Sequence, residues 1–149
     1  VRKQLGLEKP NIFPTAGATV SPEIEEFVHS IGLNMIVGYG LTESLATVSC
    51  DRLDKPFTVG SVGRILDGID VKIANDGEIL LKGPTITPGY YHRDDANEKA
   101  FDKDGYFHTG DAGYIKNGEL FSVSLCHLIW MVSRICLRRV TGNTLLRSK

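Results

Sequence analysis

The chain of 149 residues has three cysteines, Cys50, Cys126 and Cys136, an odd number at wide spacings. They form neither a disulfide framework nor a paired-cysteine zinc site, and a reducing compartment is the modest inference. No two of the four histidines stand at metal-ligand spacing. No Gly-x-x-x-x-Gly-Lys phosphate loop and no Gly-x-Gly-x-x-Gly fingerprint is present. No apolar run approaches the roughly 18 residues a membrane helix needs. Neither sign of charge dominates: seventeen bases against eighteen acids leave a net charge of -1. That removes the simplest electrostatic case for a nucleic-acid binder. There is no initiator methionine and no signal peptide at Val1, which reads most simply as a fragment.

One absence is confined to one region. From Ser122 to Lys149 there is no acidic residue, and five bases give that stretch a charge of +5. The first 121 residues carry all eighteen acids and twelve bases, a charge of -6. They also hold every proline and every glycine but Gly142. Val123 to Leu137 shows neither a helical nor a strand period. The tail reads as sequence foreign to the fold, such as a shifted reading frame. The competing reading is a basic amphipathic segment on a lipid surface.

What remains is locally consistent. Ser21 before Pro22 predicts a helix cap with proline at the first helical position. Ile24, Phe27, Val28 and Ile31 repeat at helical spacing and predict one apolar face. Glu23, Glu25 and Glu26 suit the positive end of that helix, and Gly32 suits its end. Asn34 to Val37 reads as a short buried strand. Ile69, Val71 and Ile73 alternate with polar residues, and Asn75-Asp76-Gly77 is a turn signal, so residues 69–82 predict a hairpin. Asp94 to Phe101 predicts a short helix capped by Asp94 or Asp95. Tyr106 to His108 and Ala112 to Ile115 read as two short strands around a Thr109-Gly110-Asp111 corner. Asn117-Gly118 is a hairpin turn, and Glu119 to Phe121 begins the returning strand.

Two segments carry chemistry. Gly38-Tyr39-Gly40-Leu41-Thr42-Glu43-Ser44 follows a buried strand. Its glycines allow a tight turn and a close approach of backbone to ligand. Thr42 offers a hydroxyl to a phosphoryl oxygen, Glu43 offers a carboxylate to magnesium, and Tyr39 offers a flat face to a base. An ordinary glycine turn before a capped helix accounts for the same residues. In His108-Thr109-Gly110-Asp111, a carboxylate beside a glycine corner can accept both hydroxyls of a ribose; a turn aspartate is the alternative. Gly17-Ala18-Thr19 is a candidate backbone wall against a flat ligand, or a mere connection.

Together these segments resemble the adenylate-forming (AMP-binding) enzyme superfamily, which contains the acyl-CoA synthetases. Ala16-Gly17-Ala18 with Ser21-Pro22-Glu23, then Gly38 to Glu43, then Gly77 to Pro84 with Gly89-Tyr90-Tyr91, then Gly105 to Asp111 occur in the family's order. The texture is most like a long-chain fatty acyl-CoA synthetase. The resemblance implies an α/β fold, a fragment of the large N-terminal domain: an α/β layer over residues 1–58, then a β-rich, distorted-barrel subdomain over 59–121, with 122–149 an aberrant tail. It implies ATP-dependent acid–thiol ligation. A carboxylate attacks the α-phosphate of ATP, and the thiol of CoA then displaces AMP. Gly17, Ala18, Gly38, Tyr39, Gly40, Thr42 and Asp111 are the implied nucleotide-binding residues, with Thr42 and Glu43 catalytic and Glu43 the magnesium ligand.

The implied cofactors are ATP and magnesium, with CoA as co-substrate. The implied partners are a fatty acid and CoA, with no nucleic acid. The implied location is the cytoplasm, with peripheral attachment to the inner face of a membrane left open. The family's upstream phosphate loop, the Asp-Arg pair after the Phe121 position and the lysine-bearing C-terminal domain have no counterpart in this sequence, so the chain alone is expected to be inactive. An adenylation domain loading a carrier protein, and a non-catalytic module with a lipid-binding tail, are the alternatives.

Overall fold

In the computed structural model the described residues are 3–4, 6, 12–18 and 20–123. The first strand, β1 (Ile12–Thr15), runs parallel to β2 (Asn34–Tyr39), and helix α1 (Pro22–Ser30) connects them. As the capping pattern predicts, the Ser21 side chain accepts from the Ile24 amide at 3.4 Å. The helix closes with two bonds, Gly32 N–H to the His29 carbonyl and Leu33 N–H to the Val28 carbonyl. That pair is a Schellman motif.

Six further strands follow: β3 (Ser49–Cys50), β4 (Arg64–Ile65), β5 (Asp70–Ile73), β6 (Glu78–Lys82), β7 (Phe107–Lys116) and β8 (Glu119–Val123). Helix α2 (Asp94–Ala100) lies between β6 and β7. The strand order across the sheet is β1-β2-β3-β4-β8-β7-β6-β5, and every pair after the first is antiparallel. The expected hairpin at 69–82 is β5–β6, and the Asn117-Gly118 turn joins β7 to β8.

The distorted barrel expected for the β-rich part is not formed. Among the described residues β1 and β5 stand at opposite ends of one open eight-stranded sheet. A barrel requires its first and last strands to exchange hydrogen bonds, with a shear distributed over all of them. Alternating residues and turn signals report pleat and reversal, which open and closed sheets share.

Three local expectations also change. The predicted pair of strands around the Thr109-Gly110-Asp111 corner is one strand, β7, and the corner is a bulge inside it. Helix α2 is preceded by Arg93 in the cap position, with no side-chain cap from Asp94 or Asp95. In α1 the predicted apolar face is only half covered: Ile24 is 56% and Phe27 62% exposed, Val28 and Ile31 are half-buried, and the fully buried residue is Glu25, 1% exposed. Helical spacing fixes which residues share a face, but the neighbour that face meets is set by the rest of the fold. The expectations for residues 124–149 fall outside the described residues.

The main core gathers Tyr39, Val48, Ile79, Leu81 and Leu120, with Leu41, Val62 and Ile65 packed against them. These come from β2, β4, β6, β8 and the loops between, so the core ties the parallel edge to the hairpins. Each fully buried leucine or isoleucine here contributes about 1.5–3 kcal/mol.

Candidate functional site

Strand β2 ends at Tyr39, and the chain then doubles back on itself. The Val48 amide bonds the Tyr39 carbonyl at 2.8 Å, and the Ala46 amide bonds the Leu41 carbonyl at 3.0 Å. Gly40 is required at this reversal, because a Cβ on it would sit 1.5 Å from the Ala46 carbonyl oxygen. Thr42–Ser44 then forms one 3₁₀ turn. Ser44 fastens it, its hydroxyl accepting from the Leu41 amide at 2.9 Å and donating to the Leu41 carbonyl at 3.0 Å.

The second chemical segment lies on β7. Its pairing with β6 passes from Leu80 opposite His108 to Glu78 opposite Ala112, so Thr109, Gly110 and Asp111 all face the single residue Ile79. Thr109 donates to the Ile79 carbonyl at 2.7 Å and accepts from the Asp111 amide at 3.1 Å. Gly110 takes φ +74°, the left-handed region that suits glycine. Such bulges re-aim a side chain, and here the Asp111 carboxylate accepts from the Tyr39 hydroxyl at 2.8 Å. Burial pushes the Tyr39 phenol well above the usual tyrosine range, and the neighbouring Asp111 charge adds to that.

Around this bond opens a cleft of about 320 Å³. Gly17, Ala18, Gly38, Tyr39, Gly40 and Asp111, all singled out in the sequence, lie on its wall. Thr42 and Glu43 do not. They stand on the turn beyond, Thr42 exposed and Glu43 half-buried. The Glu43 carboxylate accepts from the Tyr90 hydroxyl at 2.8 Å, and its backbone carbonyl accepts from the Thr87 amide at 2.7 Å. Among the described residues no three His, Cys, Asp or Glu side chains converge as a metal site. Glu43 therefore offers one carboxylate, which is enough for a magnesium ion whose other ligands are phosphates and water.

Three residues at or beside the cleft escape the sequence pattern. Glu25 lines it from α1, its carboxylate accepting from the Gly60 amide at 2.8 Å. Burial pushes its carboxyl above the ordinary glutamate value. In sequence Glu25 is one of three glutamates that suit a helix start, and nothing marks it as buried. Ser122, assigned from sequence to the foreign tail, also lines the cleft. Glu78 sits behind the bulge and bonds both His108 and Gly110. Only the strand register reveals that placement.

These features define a mixed α/β domain with a glycine-walled cleft at the carboxyl end of β2. The AMP-binding enzyme family profile matches residues 3–91. The chain is 40% identical over 125 residues to 2-succinylbenzoate–CoA ligase of Listeria innocua, covering 79% of this chain and 26% of that one. It is 33% identical over 117 residues to long-chain-fatty-acid–CoA ligase 1 of Schizosaccharomyces pombe, covering 66% and 17%. Among solved structures, o-succinylbenzoate coenzyme A synthetase from Bacillus subtilis in complex with ATP and magnesium superposes with a TM-score of 0.64. The identity there is 27%, over 82% of this chain and 29% of that chain. The chain belongs to the AMP-binding enzyme family, and it spans about a quarter of the length of the Listeria relative. The likeness extends across several acyl classes and does not single out the long-chain fatty acyl-CoA synthetases.

Among the described residues no helix is long and apolar enough to cross a membrane.

Proposed function

We propose that this chain is the part of an ATP-dependent acid–thiol ligase that receives the nucleoside half of ATP. The observation that carries the proposal is the Tyr39–Asp111 hydrogen bond at 2.8 Å, which joins the two chemical segments on one cleft. In this reading Gly17 and Ala18 form a wall of backbone and one methyl group against the base, and Tyr39 bounds the opposite side. Asp111 accepts the ribose hydroxyls, exchanging its bond from Tyr39 or sharing its second oxygen. Thr42 donates to a phosphoryl oxygen. Glu43, on the same turn, is the carboxylate that would hold magnesium. When bound there, magnesium supplies charge neutralisation on the phosphates.

The domain division at 58/59 is kept as part of this proposal, and the second boundary moves past Ser122 and Val123, which continue β8. The finer assignment to long-chain fatty acids is supported by the Schizosaccharomyces ligase, and an aromatic dicarboxylate acid by the more similar Listeria one. Both share the acid–thiol chemistry.

The test is a titration of the 149-residue chain, labelled with nitrogen-15, by AMP and by ATP with magnesium. Weak binding is expected, with amide shifts at Gly17, Gly38, Gly40 and Asp111 and none along β5. Shifts scattered over the sheet, or centred away from β2 and β7, would overturn the assignment. The chain is expected to form no acyl-CoA, because the phosphate loop and the lysine of the family pattern are absent from its sequence. ATP-dependent thioester formation by the purified chain would contradict that.

A further inference from the structure

The bulge that turns Asp111 into the cleft is held from behind by a single carboxylate. Three residues of β7, Thr109 to Asp111, oppose one residue of β6, so their backbone groups cannot all join the ladder. The Asp111 amide is satisfied by the Thr109 hydroxyl. The Gly110 amide instead donates to one oxygen of Glu78 at 2.8 Å. The other oxygen of the same carboxylate meets His108 Nδ1 at 2.8 Å. Glu78 thus grips the residue before the bulge and the residue at its apex.

Its own backbone is fixed independently. The Glu78 carbonyl accepts from the Ala74 amide at 2.8 Å, and Glu78 pairs with Ala112 just past the bulge. The Glu78 side chain is 21% exposed, while Gly110 at the apex of the bulge is open to water. Hydrogen bonds to an ionised acceptor are the stronger kind, and two on one planar group fix direction as well as distance. We propose that Glu78 is a positioning residue, whose two-oxygen grip on His108 and Gly110 sets the bulge and thereby aims Asp111 at Tyr39 and at the ligand. The ligand half of that statement rests on the proposed role of Asp111. The Tyr39 half does not.

The two halves are tested separately in the full 149-residue chain. The variants are Glu78→Ala, which removes both bonds, Glu78→Gln, which keeps one acceptor for Gly110, and His108→Ala, which removes only the other bond. Asp111→Asn calibrates the signal of a weakened Tyr39–Asp111 bond. With no nucleotide present, hydrogen exchange at the Gly110 amide and the Tyr39 ring resonances are followed. In Glu78→Ala, Gly110 exchange is expected to rise about tenfold, the order of one ordinary hydrogen bond. The Tyr39 resonances are expected to move toward those of Asp111→Asn, while exchange along β5 stays unchanged. Glu78→Gln is expected to restore Gly110 protection in part.

If Glu78→Ala does not fold, Glu78→Gln and His108→Ala carry the same comparison. A folded variant with Gly110 exchange raised and the Tyr39 resonances unmoved would overturn the proposal. So would loss of protection spread equally over β5, β6 and β7, which is what a merely structural residue would give. Titration with AMP and 2′,3′-dideoxy-AMP then addresses the ligand half. Equal binding of the two by the wild-type chain would remove the ribose role of Asp111. A Tyr39 shift in Glu78→Ala would still support the grip.

Discussion

The Tyr39 hydroxyl donates to the Asp111 carboxylate at 2.8 Å, joining the end of β2 to the bulge of β7 across 72 residues of chain. Tyr39 is 9% exposed and belongs to the main core, so the bond is both a tertiary tie and part of the cleft wall. Tyr39→Phe keeps the ring and removes the donor. It is expected to cost about 1.5–3 kcal/mol, the range for a hydrogen bond to a charged group. Urea unfolding of the variant measures this directly.

The same tyrosine makes an alkaline prediction. Burial, then the Asp111 charge and hydrogen bond, hold the Tyr39 phenol protonated well above its ordinary value of 10.0. The folded state therefore keeps a proton that the unfolded chain releases. Its stabilising contribution is full below that ordinary value and is lost as the pH rises toward the folded value. Wild-type stability should fall more steeply than that of Tyr39→Phe as the pH is raised above that ordinary value. Parallel curves would mean that the hydroxyl is not protected as the structure indicates.

Gly40 gives the sharpest steric prediction. A methyl group there would lie 1.5 Å from the Ala46 carbonyl oxygen and 2.9 Å from the Thr47 Cα, both backbone atoms. Neither can swing aside as the end of a side chain can. Gly40→Ala is expected to cost about 3 kcal/mol or more, enough to unfold much of a marginally stable chain. Circular dichroism and urea midpoints decide it. A variant within about 1 kcal/mol of wild type would show that the 40–46 loop relaxes freely.

What was legible in the sequence was local. Ser21-Pro22, the 69–82 hairpin and the Asn117-Gly118 turn are each decided by residues a few positions apart, through caps and turn geometry. Strands β3 and β4 have two residues each, and they exist because Ser49-Cys50 meets β2 and Arg64-Ile65, which in turn meets β8. No period can announce so short a strand. Closure of the sheet is likewise a property of its edges and invisible to alternation. At the site, glycine turns marked the Gly38–Glu43 and His108–Asp111 segments, and the structure lays Gly38, Tyr39, Gly40, Leu41 and Asp111 along one cleft. Glu25 and Glu78 were hidden because their roles arise from what the fold sets against them, the Gly60 amide in one case and the β7 bulge in the other.

Glu25 carries its own pH signature. Burial raises its carboxyl above the ordinary value of 4.5, against the opposing bond from Gly60, and the Asp51 and Glu26 charges raise it further. A raised acid is held protonated by the folded state. Its contribution is therefore full below the ordinary value and is lost as the pH rises through the folded one. Asp51 is also raised, chiefly by burial, and adds a change of the same sign. Glu25→Gln keeps an acceptor for Gly60 and removes the titration. Its stability is expected to fall less than that of wild type between the ordinary value and neutrality. Urea midpoints across that window make the comparison, and equal slopes would rule out a buried, proton-holding Glu25.

Glu43 is positioned to show whether a divalent ion is read by this chain. Its carboxylate stands on the turn beyond the cleft, which the proposed reading assigns to the phosphates, and the Tyr90 hydroxyl already donates to it. One carboxylate alone holds magnesium weakly, and phosphate oxygens must complete the shell. Magnesium should therefore strengthen binding of ATP and leave binding of AMP nearly unchanged. In Glu43→Gln the magnesium-dependent part of ATP binding should be lost while AMP binding stays as in wild type. Tyr90→Phe removes the competing donor and should preserve or enlarge the magnesium effect. Titrations with and without a chelator separate these outcomes. A magnesium effect that survives in Glu43→Gln would place the ion on the nucleotide alone and remove Glu43 from the site.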